Sequence, residues 1–333
     1  MQSLLQHLPN CKVYSTTRQD DDEAEWLKNR TRGIGGSDVG PICGVSPFSS
    51  ARQIYFNKTK QYDELTNNFS DAAKDRMRFG HLLEPIVADE FAHRMNKKVI
   101  MVHATLVHKD YSWALANVDR LIVDDNGCPY GVLECKTSSE FMNSEWDDGE
   151  IMLTYIYQLN WYLWITGLTY GAFACLVGGN KFYIYEVFRN DELLNETIIP
   201  KATSFWYDNV LALKEPELQA TDSDLVNDLF KTVVKNSEIS LPDDTDNELA
   251  RTIYECKAKI KELEETMETA QNRLKEKLKD TEIGYTSDFT VKWSPRTQQR
   301  VDNDKLKGQF PEIYQQVLKK IEYRVFTVKG VKV

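Results

Sequence analysis

Long apolar runs, paired cysteines and a surplus of basic charge are all missing from this 333-residue chain. No stretch reaches the roughly 18 uninterrupted apolar residues that span a bilayer. The opening MQSLLQHLPNCKVYSTTRQDDDEAEW has neither the basic start nor the apolar core of a secretory leader. We therefore expect a cytoplasmic protein with no membrane partner. The six cysteines, Cys11, Cys43, Cys128, Cys135, Cys175 and Cys256, form no C-x-x-C pair. Their scatter argues against a zinc ribbon, an iron-sulfur cluster or a disulfide framework and for reduced, mostly buried thiols. A formal net charge of −10 argues against nonspecific whole-surface attraction to nucleic acid, but does not exclude a local groove. Internal repeats and low-complexity tracts are also absent.

What is present suffices for a packed core: 41% hydrophobic and 11% aromatic residues, in a chain longer than one typical domain. Residues 1–214 alternate helical and strand patterns. EAEWLKNR and DAAKDRMRFGHLLEPIVADEFAHRM read as helices, the second with Met77, Leu82, Ile86 and Phe91 at helical spacing. Between them GIGGSDVGPICGVSPFSS reads as a glycine- and serine-rich turn region. KKVIMVHATLVH, WALANVDRLIVD and YGVLECKT read as strands, the last two joined through Asn126-Gly127. TYIYQLNWYLWITG is an apolar helix closed by Gly167, and GAFACLVGG with KFYIYEVFR a hairpin. Helices flanking a mixed sheet make an α/β core.

Residues 215–248 are acidic and suggest a linker or solvated edge. From 249 to 333 a heptad-patterned helix precedes a small basic α+β appendage. The heptad seam is Leu249, Ile253, Cys256, Ile260, Leu263, Met267, Ala270, Leu274 and Leu278. We expect it to pack within the chain, on a closing strand YRVFTVKGV, or against another subunit, a docking surface being the alternative. A short helix is expected to start near Pro311.

The tripeptide Glu-Cys-Lys occurs twice, at 134–136 and 255–257. On the helix, Cys256 faces the seam and Glu255 and Lys257 flank it in water. On the strand, alternation points Glu134 and Lys136 to one face and Leu133 and Cys135 to the other. The hairpin would bring Asp119 beside Glu134. Two carboxylates and an ammonium next to a core require either a divalent metal or a salt bridge among themselves. Gln158 in an apolar helix, Glu84 in FGHLLEPIV, and Ser37 and Arg30 around the glycine-rich turn add polar groups that read as one site. Taken singly, Gln158 is also a satisfied core amide, Glu84 a helix-surface acid, and Ser37 or Asp38 an ordinary helix cap.

WLKNRTRGIGGSDVG, FGHLLEP, ANVDRL, GVLECKT and YIYQLNWYLWITG, in that order over about residues 24 to 190, resemble the PD-(D/E)xK nuclease superfamily. Within it they are most similar to phage lambda exonuclease and YqaJ-type viral recombinases. The superfamily's proline before the first aspartate is Val118 here. The resemblance implies a restriction-endonuclease-like core carrying a long C-terminal helix and a small extension. It implies that Asp119, Glu134 and the Cys135 backbone carbonyl ligate Mg²⁺, replaceable by Mn²⁺, with Glu84 serving a second ion. Lys136 would lie near the attacking water, as a base of lowered pKa or as an orienting group. Gln158 would position that lysine or water, and Tyr155 would line the pocket. Arg30, Ser37 and the amides around Gly36 would hold a 5′-phosphate. The implied activity is 5′→3′ digestion of linear double-stranded DNA, leaving 3′ strands for annealing recombination in a bacterial host's cytoplasm, from a phage or prophage gene. A single-strand annealing protein is the implied partner and a homo-oligomer, such as a trimeric ring, the implied assembly. The alternatives are an endonuclease or flap nuclease that needs no free end, and a non-catalytic DNA-binding scaffold.

Overall fold

The computed structural model describes residues 6–17, 22–59, 71–142, 146, 152–320 and 323–330. Its chain divides into two units, one ending at Leu229 and the other beginning at Phe230.

In the first unit, β1 (Cys11–Ser15) is followed by three helices: α1 (Glu23–Thr31), α2 (Gly36–Cys43) and α3 (Ala51–Thr59). After α4 (Asp71–Met95) the two long runs expected as single strands each break in the middle. The first gives β2 (Lys98–Met101) and β3 (Thr105–His108); the second gives β4 (Leu115–Ala116) and β5 (Arg120–Val123). β3 and β4 join β1 in a small sheet, whereas β2 and β5 enter the main one. Both runs thus pass from one sheet to the other, and Asp119 lies at the crossing rather than inside a ladder.

β6 (Pro129–Ser138), α5 (Leu153–Thr166), β7 (Tyr170–Val177) and β8 (Lys181–Phe188) complete the core. The main sheet has the order β2-β5-β6-β7-β8, with β6 and β7 parallel and the other neighbours antiparallel. Its two faces are covered differently. Leu133 and Cys135 of β6 cluster with Val87, Ala88 and Phe91 of α4. Val132, Leu121 and Phe173 cluster with Leu159, Trp161 and Leu163 of α5. Of the stripe expected on α4 only Phe91 is buried; Met77, Leu82 and Ile86 are exposed, because Val87, Ala88 and Phe91 face the sheet. Gly167 ends α5 in a left-handed conformation, φ 77°. α6 (191–211) mixes α and π turns, and α7 (Ser223–Leu229) closes the unit, preceded by a buried Asp222 that accepts the Ser50 hydroxyl.

The glycine-rich turn region holds a helix, α2, which the sequence offered only as the alternative in which Ser37 or Asp38 caps a helix. A Cβ on Gly36 would lie 2.4 Å from the Tyr162 ring and one on Gly40 2.1 Å from the Thr154 hydroxyl. These glycines are spacers that let α2 lie against α5; the burial gained offsets their poor helix propensity.

The second unit contains α8 (Asp244–Leu278), capped by the Asp243 carboxylate, which accepts the Thr245 N–H. An antiparallel hairpin follows, β9 (Ile283–Tyr285) with β10 (Thr290–Lys292), then α9 (Asn303–Gln309) and α10 (Pro311–Val317). The expected closing strand does not form: Tyr323–Gly330 is irregular, with no strand among the described residues to pair it. No residue of α8 is buried, so Cys256 is exposed together with its flanking charges. No helix among the described residues is long and apolar enough to cross a membrane.

Candidate active site

The site grows from the β5–β6 hairpin. Gly127 takes φ 80° in the turn, and Arg120 pairs with Leu133. The same register carries Asp119 opposite Glu134. Because Asp119 precedes the ladder its side chain is free to turn inward, where Oδ2 accepts the Cys135 backbone N–H at 2.8 Å. Glu134 is buried on the α5 face. Its Oε1 accepts Lys136 Nζ and Gln158 Nε2, each at 2.6 Å. Its other oxygen, Oε2, is buried with no hydrogen-bond partner among the described residues.

The electrostatics follow from this crowding. Burial, then the Glu134 charge, pushes the Asp119 carboxyl well above the usual range, opposed by Lys136. Burial likewise raises Glu134, against the pull of Lys136. For Lys136, burial alone lowers the pKa, but Glu134 and Asp119 together outweigh it, so the net shift is upward and the side chain is an ammonium. Its Nζ lies 5.4 Å from the centre of the Tyr155 ring, which stacks on Trp146. Gln158 touches Glu134 and the Tyr162 hydroxyl, 3.2 Å away, rather than the lysine directly.

Glu84, on α4, pairs with the buried Arg120, which also donates to the Asp119 carbonyl at 2.7 Å. Arg120 had not been singled out in the sequence, although a charge beside Asp119 in an apolar run was the signal for it. A cavity of about 180 Å³ opens here, lined by Trp26, His81, Glu84, Asn117, Asp119 and Arg120.

Arg30 and Ser37 are also together. Arg30 Nη2 donates to the exposed Ser37 hydroxyl at 2.9 Å, and its guanidinium lies 4.8 Å from the Trp26 ring centre. Beneath them Asp38 accepts the Gly35 N–H at 2.8 Å and Lys58 Nζ at 2.6 Å; Lys58 also reaches the Arg30 carbonyl at 2.9 Å. The N-cap of α2 is thus Gly35, neither Ser37 nor Asp38; Asp38 sits at N3, where its carboxylate takes the N-cap N–H. Tyr162 connects the two halves: its ring rests on Gly36 and its hydroxyl meets Gln158. It stands four residues after Gln158, one helical turn along the same face, which was the available clue. Nothing local in the sequence marked Lys58.

The donor set fits a divalent cation. Two acids, each raised by burial, and an unpartnered buried carboxylate oxygen form an incomplete site for positive charge. Among the described residues no three His, Cys, Asp or Glu side chains form a ready cage, so a backbone carbonyl or water must complete any coordination.

A model of the YqaJ-like viral recombinase domain matches residues 25–169. The chain is 36% identical over 311 residues to the uncharacterized protein YqaJ of Bacillus subtilis (strain 168), covering 92% of this chain and 94% of that one. Among solved structures it is similar to an alkaline exonuclease from Laribacter hongkongensis, at 18% identity and TM-score 0.46, covering 57% of this chain and 96% of that one. A phage-related exonuclease from Haemophilus somnus 129PT matches at 12% identity and TM-score 0.41, covering 54% and 96%.

Proposed function

This chain belongs to the YqaJ-like viral recombinase family, and we propose that it is a metal-dependent 5′→3′ exonuclease on linear double-stranded DNA, with a PD-(D/E)xK core. The observation that carries the reading is the buried, unpartnered Oε2 of Glu134 beside Asp119 and Lys136. A purely structural ion cluster would satisfy that oxygen; a site that takes up a cation leaves it open.

Phosphodiester hydrolysis needs an in-line water and relief of the charge that builds on the phosphate. Mg²⁺, or Mn²⁺ in its place, would supply that charge relief and acidify the water, held by Asp119, Glu134 and the Cys135 carbonyl, with Glu84 nearby for a second ion. The protein's own groups have separate tasks. The Cys135 N–H holds the Asp119 carboxylate in place, and Gln158 holds Glu134. Lys136, kept protonated by the two carboxylates, is better suited to orienting water and neutralising phosphate than to accepting a proton. Tyr155 limits where its ammonium can go.

Arg30, Ser37 and the amides at Gly36 would take the 5′-phosphate of the DNA end, a guanidinium and hydroxyl being suited to a terminal phosphate dianion. The Gly36–Tyr162–Gln158–Glu134 chain of contacts joins that end to the cutting site. The products would be 3′ single strands for an annealing protein, within a bacterial host's cytoplasm, and the working form a homo-oligomer such as a trimeric ring.

The test is purified protein with Mg²⁺ on matched linear and closed-circular duplexes, the linear one carrying 5′-phosphate or 5′-hydroxyl ends. The expected result is degradation of the linear form only, faster with the phosphate. Cutting of the closed circle would replace the exonuclease by an end-independent nuclease. No cleavage of either with Mg²⁺ or Mn²⁺ would leave a binding scaffold.

A further inference from the structure

The nuclease reading makes no use of α8. Its apolar seam is uncovered: Leu249 is 64% exposed, Leu263 68% and Met267 55%. A helix of 35 residues with no buried side chain has little to hold it in water except pairing of this stripe. The seam residues Ile253, Ile260, Met267 and Leu274 occupy the a positions of the heptad, and Leu249, Cys256, Leu263 and Ala270 the d positions.

We propose that α8 pairs antiparallel with the α8 of a second copy of this chain. In an antiparallel pair each a residue faces a d residue of the other helix. One register places Ile253 against Ala270, Ile260 against Leu263, Met267 against Cys256, and Leu274 against Leu249. Each small d residue then meets a large a residue, so the four kinds of layer fill evenly along about 38 Å of helix. In the parallel arrangement Cys256 and Ala270 would face their own copies and leave thin layers. Lys277, at the next d position, would face another Lys277.

The flanking charges agree. Lys257 and Glu264 sit at the e positions, which neighbour each other across an antiparallel pair, so this register makes the Lys257–Glu264 contact twice. The g positions bring Lys259 beside Thr266 and Thr252 beside Arg273, with no like-charge contact. On the outer face Lys261 pairs with Glu265 within the helix at 3.8 Å. Opposed helix dipoles favour the same orientation. This inference does not depend on the nuclease reading.

The test is disulfide trapping in the full chain, since Cys256 is the one exposed cysteine among the described residues. The half-exposed Cys128 is first replaced by serine. After oxidation with copper-phenanthroline, Met267→Cys should give a covalent dimer on a non-reducing gel, and adding Cys256→Ser should remove it. The chain without Met267→Cys should give no dimer. Glu264→Lys should cause loss of the trapped dimer, and Lys257→Glu added to it should restore the band. A covalent dimer without Met267→Cys would mean parallel pairing and overturn the proposal. So would the absence of trapping with Met267→Cys, or restoration by Lys259→Glu in place of Lys257→Glu.

Discussion

Asp119 Oδ2 accepts the backbone N–H of Cys135 at 2.8 Å, which fastens one acid to the strand between Glu134 and Lys136. The bond holds two carboxylates in a space where burial opposes both charges, Glu134 adding repulsion at Asp119 and Glu84 at Glu134. Asp119→Asn keeps an oxygen for that N–H and removes one of the charges. We predict that it raises Tm without metal, by about 2–4 °C for each kcal/mol relieved, and abolishes the Tm increase expected when Mg²⁺ or Mn²⁺ is added to the unaltered protein. Thermal scans with and without metal decide this; an undiminished metal response would remove Asp119 from the ligand set.

Lys136→Ala should eliminate cleavage of linear duplex while leaving duplex binding in place, because the proposed mechanism uses the ammonium at the reacting phosphate. Lys257→Ala, in the other copy of Glu-Cys-Lys, should cleave at the normal rate. Single-turnover cleavage and a filter-binding assay separate the two effects.

Gln158→Leu removes the amide that shares Glu134 Oε1 with Lys136. A group that orients a ligand rather than touching substrate typically costs about 10–100-fold when lost. The expected signature is a fall of that size in kcat with little change in KM for the DNA end. An unchanged kcat would make Gln158 only a core amide.

Gly36→Ala would place a methyl group 2.4 Å from the Tyr162 ring. Overpacking of this kind costs about 1–3 kcal/mol and should appear as a lower urea midpoint. Since Arg30 and Ser37 meet above the same turn, the proposed preference for 5′-phosphate over 5′-hydroxyl ends should be weaker in this variant as well.

The buried Lys58–Asp38 pair sets a pH dependence. Burial opposes the Asp38 charge, but Lys58, Arg30 and the Gly35 N–H outweigh it and hold the carboxyl below its ordinary 3.8. Burial pulls Lys58 down even beside Asp38; the carboxylate's downward shift is the one its three donors and charges support. A depressed acid stabilises the fold fully above its unfolded value, and that contribution fades as pH falls through the folded value. Lys58→Met, which strands Asp38, should cost about 3–5 kcal/mol at neutral pH. Its deficit should narrow as pH drops below about 4. Urea unfolding of both proteins from pH 7 to pH 3 measures the difference, and a constant gap would argue against the pair.

Local chemistry decided several features before any contact was known. Gly127 and Gly167 announce a turn and a helix stop because each takes a left-handed φ, which glycine adopts without a Cβ penalty. The alternation of β6 separates Glu134 from Cys135 because a strand has period two whatever surrounds it. The same reasoning distinguished the two copies of Glu-Cys-Lys by the element each occupies.

Other features had no local cause. Gly36 and Gly40 join a helix only because Tyr162 and Thr154 lie against them, more than a hundred residues away. Arg120 finds Glu84 across 36 positions and Lys58 finds Asp38 across 20. In each case a buried charge is tolerated only where the fold brings its partner. The break before Asp119 is of the same kind: the run WALANVDRLIVD is apolar enough for one strand. Which residue falls at the crossing between two sheets was set by the pairings of β2, β3, β4 and β5. The sequence by itself determined which side chains share the charged face of β6, through periodicity and residue chemistry. Tertiary structure alone decided that Asp119 would be released from the ladder to reach the Cys135 N–H beside it, because hydrogen-bond pairing between distant strands determines where a ladder ends.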